Sequence, residues 1–123
     1  MEPAPRHTFS RAERLKLRAD YRRCIRSGGR AAGQYITLYL CKNDLGIIRL
    51  GAGTTRRLGN AVRRNRAKRL VREVFRLHKS ELPPGVDLVA LPKIPWADPT
   101  LDQLAADLIT TARLALGNLQ RRH

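Results

Sequence analysis

Residues 56–79 show the clearest hydrophobic pattern in the chain, because their apolar side chains recur at spacings of three and four. This periodicity predicts an amphipathic helix. Asn60 follows Gly59 at the position where a side-chain oxygen can cap the first turn. The predicted apolar face consists of Ala67, Leu70, Val71, Val74, Phe75 and His78. The opposite face holds Asn65, Lys68, Arg69, Arg72 and Arg76.

Two more helices are predicted, one on each side of this central segment. Residues 11–27 begin with Ser10 and Glu13, which have capping-box spacing, and end at two glycines. The last helix begins near residues 98–100, with Pro99 in the favoured first position, and ends at about Gly117. Its apolar stripe predicts that it packs on the core.

Three segments have the pattern of β-strands. Residues 35–41 alternate and are rich in β-branched and aromatic side chains, and residues 47–54, which follow a turn, are expected to be their partner strand. Residues 86–91 form a short apolar run that predicts a strand buried on both faces. In the first strand, one face carries Ile36, Leu38 and Leu40 toward the core, and the other carries Tyr35, Thr37, Tyr39 and Cys41.

The order of these elements predicts an α+β fold, a small two-layer sandwich in which helices pack on a mixed sheet of about four strands. With 123 residues, the chain is large enough for one core and not for two. We expect a flexible N-terminal arm over residues 1–9, a single domain over residues 10–117 and a basic C-terminal tail over residues 118–123.

Charge changes the interpretation of the central helix. The chain has 25 Lys and Arg against 10 Asp and Glu, a formal net charge of +15, and ten of these cations lie in residues 56–79 against the single carboxylate of Glu73. Arg63, Arg64 and Arg66 crowd the positive end of the helix dipole, where acidic residues are favoured. An ordinary surface helix mixes the two signs. The pattern therefore favours a helix that binds a polyanion, with nucleic acid as the leading partner.

The first predicted helix has a second basic face, made of Arg14, Arg18, Arg22, Arg23 and Arg26. Here an ordinary solvated face is a stronger alternative, because Glu13 and Asp20 can pair with these arginines within the helix. The two tyrosines in line on the first strand could stack on bases, although tyrosines on a sheet often only pack.

Residues for independent catalysis or metal binding are not apparent. The histidines are scattered, nothing matches a phosphate-binding loop, and the carboxylates do not form the cluster that a metal-dependent nuclease needs. Cys24 and Cys41 lack metal-site spacing and are expected to be reduced, buried thiols. The chain has no apolar run of membrane-spanning length and no signal-peptide segment, so we expect a cytoplasmic protein with no membrane partner.

The run Gly59-Asn60-Ala61-Val62-Arg63-Arg64-Asn65-Arg66-Ala67-Lys68-Arg69-Leu70-Val71-Arg72-Glu73 resembles the signature of the bacterial ribonuclease P protein component. The pattern G-N-A-V-x-R-N-x-x-K-R-x-x-R-E is matched without a gap. The resemblance extends over roughly residues 14–117. It implies an α+β sandwich with an unusual left-handed βαβ crossover.

The resemblance also implies a function. Members of this family bind one catalytic RNA, and the complex removes the 5′ leader from precursor tRNA by hydrolysis assisted by divalent metal bound to the RNA. The implied partners are therefore the catalytic RNA and precursor tRNA, with no obligate protein partner. Mg²⁺ is expected for the complex, whereas neither a catalytic residue, a metal site nor a cofactor is expected in this chain.

Site residues follow from the resemblance position by position. Contacts to the catalytic RNA are expected from Arg63, Arg64, Asn65, Arg66, Lys68, Arg69 and Arg72. Contacts to the leader are expected from Tyr21, Tyr35, Tyr39, Thr54, Thr55, Arg56, Arg57 and Asn60. Ile25 stands where members often have Phe, so a second stacking contact on the first helix is not assigned.

Two other functions share part of this pattern. A ribosomal or RNA-assembly protein would have the charge and the fold type without linked catalysis. A protein-only endonuclease would cleave RNA unaided, which the missing carboxylate cluster disfavours.

Overall fold

The computed structural model describes residues 8–122, which form a four-stranded mixed sheet and three helices. The strands are β1 (Gly29–Ala32), β2 (Ile36–Lys42), β3 (Arg49–Ala52) and β4 (Val86–Pro92), in the spatial order β1-β2-β4-β3. Strand β2 pairs antiparallel with both β1 and β4, whereas β3 pairs parallel with β4. The helices are α1 (Arg18–Ser27), α2 (Ala61–His78) and α3 (Leu101–Arg122).

The helices divide between the two faces of the sheet. Helices α2 and α3 cover one face over the main core, which includes Ile36, Leu38, Leu88 and Phe75. Helix α1 covers part of the other face, where it contacts β2 and β4. The predicted α+β sandwich on a mixed sheet is confirmed, and α1 adds partial cover to its second face. The parallel β3-α2-β4 connection is the predicted βαβ crossover; its left hand stays a prediction.

The predicted pairing of residues 47–54 with residues 35–41 is wrong. Strand β4 lies between them. Its side chains are mostly apolar on both faces, and a strand in the middle of the sheet can bury both of its faces. The fourth strand, β1, starts directly after α1 and carries too short a pattern to be predicted. Ile48 and Leu50 are buried in the core, and the predicted two-sided burial of β4 is confirmed.

The predicted start of the first helix is also wrong. Ser10 and Glu13 form their hydrogen bond, from Ser10 N–H to Glu13 Oε1 at 2.9 Å, but they cap only a short 3₁₀ turn over Arg11–Glu13. The chain then extends, and the Leu15 amide donates to the Leu50 carbonyl at 3.0 Å. This segment lies along the free edge of β3 and protects it, so α1 begins only at Arg18.

Helix α3 differs from the prediction at both ends. The helix begins at Leu101, so Pro99 precedes it and does not take its first position. Thr100 caps the first turn: Thr100 Oγ1 accepts from the Gln103 amide at 3.2 Å, and Gln103 Oε1 accepts from the Thr100 amide at 2.9 Å. The helix continues past Gly117, because Leu119 is buried in the core and Asn118 Nδ2 donates to the Arg30 carbonyl at 2.7 Å. Residues 118–122 of the predicted tail are therefore helical. Residues 1–7 of the predicted arm, and His123, lie outside the described residues.

Trp96 and the two cysteines are also buried. Trp96 lies in the main core. Cys24 and Cys41 are buried, free thiols, as predicted. Within residues 8–122, no helix combines the length and the apolar character needed to cross a bilayer.

Candidate nucleic-acid interface

The outer surface of α2 carries a cluster of cations. The side chains of Arg64, Arg66, Lys68, Arg69 and Arg72 make neither an ion pair nor a hydrogen bond with any described residue. The helix's single carboxylate, Glu73, is held by Arg76 at 2.6 Å and neutralises none of them. We call these five side chains the α2 cation cluster. Their mutual repulsion destabilises the free protein, and a bound polyanion would remove that cost.

Two of the predicted binding residues on this segment make contacts within the fold. Arg63 donates to the Trp96 carbonyl at 2.9 Å and to the Leu58 carbonyl at 3.1 Å, and it lies 3.3 Å from an Asp98 carboxylate oxygen. Asn60 Oδ1 accepts from the Arg63 amide at 2.9 Å, which is the predicted N-cap. Both residues therefore fix the start of α2 and the loop before α3.

The cation cluster has two sides. Arg64, Lys68 and Arg72 are spaced four residues apart and so share one side, and Arg72 faces the sheet edge beside Tyr21 and Leu50. On the other side, Arg66 and Arg69 border a groove of about 600 Å³ between α2 and the loop that holds Trp96 and Pro99. Asn65 is exposed between the two sides. The whole exposed surface of α2 is thus available to a large anionic partner.

Tyr21 lies in a shallow depression between α1 and the sheet. A Cβ atom on Gly51 would lie 2.5 Å from the Tyr21 ring, so glycine at this position leaves the space that the ring occupies. The depression has a volume of about 270 Å³ and is bordered by the cations Arg14, Lys16 and Arg72. Burial raises the pKa of Tyr21, and the nearby Arg72 charge opposes that rise. A half-buried aromatic ring among cations is suited to stacking on a nucleic-acid base.

A second depression lies further along the same face and contains Tyr39. Its volume is about 320 Å³, and the predicted residues Thr55 and Arg57 line it together with Tyr39. Two cations that were not predicted complete it: Arg30, which lies opposite Tyr39 in the β1–β2 register, and Lys93. Arg30 could have been found had β1 been recognised, since cross-strand partners share a face. Tyr21 and Tyr39 pack against the same small apolar cluster.

The remaining predicted leader residues lie elsewhere. Tyr35 precedes β2 and packs against the main core, and its amide donates to Asp107 Oδ2 of α3 at 2.8 Å. Thr54 is half-buried just after β3, and Arg56 is exposed in the 3₁₀ turn Arg56–Leu58. Neither borders the two depressions. The fully extended alternation that placed Tyr35 beside Tyr39 fails because the strand begins only at Ile36.

A buried ionic cluster joins α1 to the sheet. The Asp87 carboxylate is fully buried and accepts from Arg23 at 2.8 Å, from Arg49 at 2.7 Å on each oxygen and from Asn43 at 2.9 Å. Burial by itself raises the pKa of Asp87, but hydrogen bonds from Arg49 and Asn43 and the two arginine charges outweigh it and lower the pKa. The sequence shows Asp87 only as a lone acid in an apolar strand. Its arginine partners come from elements that only the fold brings together.

Within residues 8–122, no three side chains of His, Cys, Asp or Glu converge on a point where they could hold a metal ion. The described residues do offer two basic surfaces: the outer surface of α2, and the cleft beside α1, which consists of the Tyr21 depression and the Tyr39 depression. Both are built from arginine, lysine and tyrosine, which bind phosphates and stack on bases.

Comparison with known proteins identifies a family. The family model described as Ribonuclease P matches residues 9–115. The "Ribonuclease P protein component" of Thermotoga maritima is 41% identical over 86 residues, covering 70% of this chain and 74% of the relative. The same component from Oleidesulfovibrio alaskensis is 37% identical over 110 residues, covering 85% and 87%.

Solved structures of the same family have a similar fold. The Staphylococcus aureus RNase P protein superposes with a TM-score of 0.74 at 34% identity, covering 85% of this chain and 96% of that chain. The Thermotoga maritima RNase P protein gives a TM-score of 0.74 at 31% identity, covering 82% and 96%. The similarity thus spans both the α2 cation cluster and the cleft beside α1.

Proposed function

The chain belongs to the ribonuclease P protein family, and on that premise we propose that it is the subunit that helps a catalytic RNA remove the 5′ leader from precursor tRNA. The observation that carries the proposal is the α2 cation cluster: five cations without partners among the described residues, on the helix that bears the family signature. We place this activity in the cytoplasm.

The α2 cation cluster is the proposed contact to the catalytic RNA. Arginine and lysine neutralise phosphates and release the counterions condensed on RNA, which supplies binding free energy at low salt. The start of α2 is held rigidly by the Asn60 cap and the Arg63 contacts, so the cluster is presented on a fixed surface. Because the helix backbone is already ordered, binding costs conformational entropy only in the side chains.

The cleft beside α1 is the proposed contact to the single-stranded leader. Tyr21 and Tyr39 offer two ring faces, and stacking tolerates any base, which suits a subunit that must accept leaders of many sequences. Arg57, Arg30 and Lys93 border the Tyr39 depression and can meet the phosphates between stacked bases. Tyr35 lies outside this cleft and is not part of the proposal.

We propose that the divalent metal that assists hydrolysis of the precursor tRNA is bound by the catalytic RNA. The described residues offer no converging set of three ligands, whereas the bound metal, expected to be Mg²⁺, would activate the attacking water and stabilise the leaving oxygen. The residues of this chain then act by binding: they hold the leader and screen the repulsion between two RNA molecules.

Reconstitution tests the function. The purified full chain is mixed with a bacterial ribonuclease P RNA, and cleavage of precursor tRNA is followed at low magnesium, where the RNA alone is slow. We expect cleavage at the mature 5′ end to accelerate when the protein is present. A protein that binds the RNA yet leaves the rate unchanged would instead support the ribosomal or assembly alternative. Cleavage by the protein without any RNA would support a protein-only nuclease.

Replacement of Tyr21 tests the leader cleft. We expect Tyr21→Ala to weaken binding of precursor tRNA to the reconstituted complex by roughly 1 to 3 kcal/mol, because one stacked base loses its partner. Binding of mature tRNA, which has no leader, is expected to stay unchanged. Tyr35→Leu is the matched control, since it removes a tyrosine that packs on the main core. Equal losses for precursor and mature tRNA would assign Tyr21 to folding alone.

A further inference from the structure

Helix α1 carries a second set of cations on its outer side. Arg18, Arg22 and Arg26 are exposed, and their side chains make neither an ion pair nor a hydrogen bond within residues 8–122. Residues four apart are neighbours on one side of a helix, so the three arginines form a row along the outer side of α1. At a rise of 1.5 Å per residue, the row is about 12 Å long. We call it the α1 arginine row.

The acids that could have neutralised this row are engaged elsewhere. Asp20 lies 3.7 Å from Arg49 of the sheet and 3.8 Å from Arg23, on the inner side of α1. Glu13 lies outside the helix and binds Lys79 at 2.6 Å. Arg23, the remaining arginine in the middle of α1, is bound to the buried Asp87 at 2.8 Å. The fold therefore separates the arginines of α1 into a structural one that faces the sheet and a row that no acid among the described residues neutralises.

The row costs stability in the free protein. Like charges four residues apart destabilise a helix. Arg18 adds to this cost because it lies at the positive end of the helix dipole, where Leu17 provides no side-chain cap. Only Arg26, near the C-terminal end, is favoured by the dipole. An anionic chain that lies along the row would compensate this repulsion.

We propose that the α1 arginine row binds phosphates of the precursor tRNA leader, upstream of the bases that occupy the cleft. The row belongs to the same helix as Tyr21 and lies on the side of α1 that faces away from the sheet, since Cys24 marks the buried side. A single strand that leaves the cleft over α1 meets the three cations in succession. The α2 cation cluster, which is proposed for the catalytic RNA, is on a different helix. This inference rests on the proposed function.

The test compares leader lengths and salt. The triple variant Arg18→Gln, Arg22→Gln, Arg26→Gln is reconstituted with the catalytic RNA, and binding of precursor tRNAs with progressively longer leaders is measured over a range of salt concentrations. We expect equal affinity for mature tRNA and for the shortest leaders. For long leaders we expect a loss of roughly tenfold, as three exposed ion pairs would give. The slope of log affinity against log salt should fall by about 0.7 for each phosphate that is no longer neutralised, or about 2 in all.

Two matched variants isolate the effect. Arg113→Gln removes one exposed arginine, unpaired among the described residues, from α3 on the other face of the sheet and should leave the leader-length dependence intact. Lysine at position 22, in the variant Arg22→Lys, keeps the charge and should keep most of the salt slope. Thermal unfolding of the triple variant should be unchanged or shifted upward, since repulsion within α1 is removed.

Three results would overturn the inference. An undiminished advantage of long leaders in the triple variant would show that the row does not contact the leader. An equal loss for mature tRNA would place the row on the tRNA body, and a loss of affinity for the catalytic RNA would place it on that partner. If the unaltered chain gives no stimulation, the proposed function fails. If the unaltered chain works and only the leader-length effect is absent, this inference alone fails.

Discussion

Asp87 has an unusual position for an acid, buried completely in the central strand between two arginines and an asparagine. A buried carboxylate is tolerated when its oxygens are fully hydrogen-bonded and its charge is paired, and both conditions hold here. Arg23 comes from α1 and Arg49 from β3, so the cluster fixes the helix to the sheet. Because Tyr21 is two residues from Arg23 on the same helix, the cluster also fixes the position of the Tyr21 ring over Gly51.

Replacing Asp87 with Asn should destabilise the fold. The change removes the charge that two arginines share, and because Arg23 and Arg49 can turn partly toward water, the expected loss in the free energy of unfolding is about 2 to 3 kcal/mol. Urea unfolding of the free protein measures it. Asp44→Asn, at an exposed turn, is the control and should change little. A loss as small as that of the control would mean that the cluster does not hold α1 in place.

The same carboxylate predicts a dependence on pH. The pKa of Asp87 is lowered in the folded state, so its contribution is fully present above the unfolded value, about 3.9, and is lost as the pH falls through the folded value. The difference in stability between the unaltered chain and Asp87→Asn should therefore be constant from neutral pH down to about 4 and shrink below it. A difference that grows on acidification would have the wrong sign.

At the scale of elements, α2 combines a core-forming face with a cation-bearing face. Burial of Val71, Val74 and Phe75 anchors the helix, so the repulsion between its cations does not unfold it. The Asn60 cap and the links from Arg63 hold its first turn, where the dipole disfavours arginine. The stability of this helix comes from its packing and its cap rather than from its charges.

Removing one side of the α2 cation cluster should reduce binding of the catalytic RNA and its salt dependence together. For the variant Arg64→Ala, Lys68→Ala, Arg72→Ala, the slope of log affinity against log salt should fall by about 2 to 3, close to one for each phosphate that the variant leaves without a cation. Filter binding or fluorescence titration with the catalytic RNA measures the slope. Arg113→Ala, on α3, provides the control. An unchanged slope would mean that this side of α2 is not on RNA.

The elements that the sequence predicts well are those whose signals are local. Helix α2 follows from periodicity and from the Asn60 cap, and both are confirmed. The start of α1 and the end of α3 are decided by distant contacts: Leu15 pairs with the edge at Leu50, and Leu119 packs into the core after Gly117. Strand pairing is also non-local: β3 pairs with β4, which follows it in the chain only after α2, and not with β2, which precedes it directly.

The candidate site shows the same division. The α2 cations and Tyr21, Tyr39 and Arg57 could be predicted from composition, alternation and the family signature. Arg30 and Lys93 could not, because they reach the Tyr39 depression only through strand order. Chemically identical arginines also take different roles, such as Arg23 on Asp87 and Arg22 in solvent, because Asp87 comes from a strand 64 residues away that packs under only one side of α1.

At the scale of the whole molecule, the dominant quantity is the net charge of +15 on 123 residues. Cations unpaired among the described residues lie on both helical layers, on α1 and on α2, so the compact state brings together charges that the unfolded chain keeps apart. Self-repulsion of this kind lowers the stability of the free protein and is screened by salt, with a Debye length of about 10 Å at 0.1 M. The same charges draw the protein to RNA.

Salt should therefore act in opposite directions on the fold and on the complex. Raising the concentration of sodium chloride from a few millimolar to moderate levels should raise the Tm of the free protein by about 3 to 5 °C, as relief of roughly 1 kcal/mol of repulsion gives for a chain of this size. Over the same range, affinity for the catalytic RNA should fall steeply. Calorimetry of the free protein measures the first effect. The α2 triple variant, which has three cations fewer, should show a smaller rise in Tm. If the Tm of the unaltered chain stays flat or falls as salt is added, local ion pairs such as those of Asp87 control its stability, rather than the overall charge.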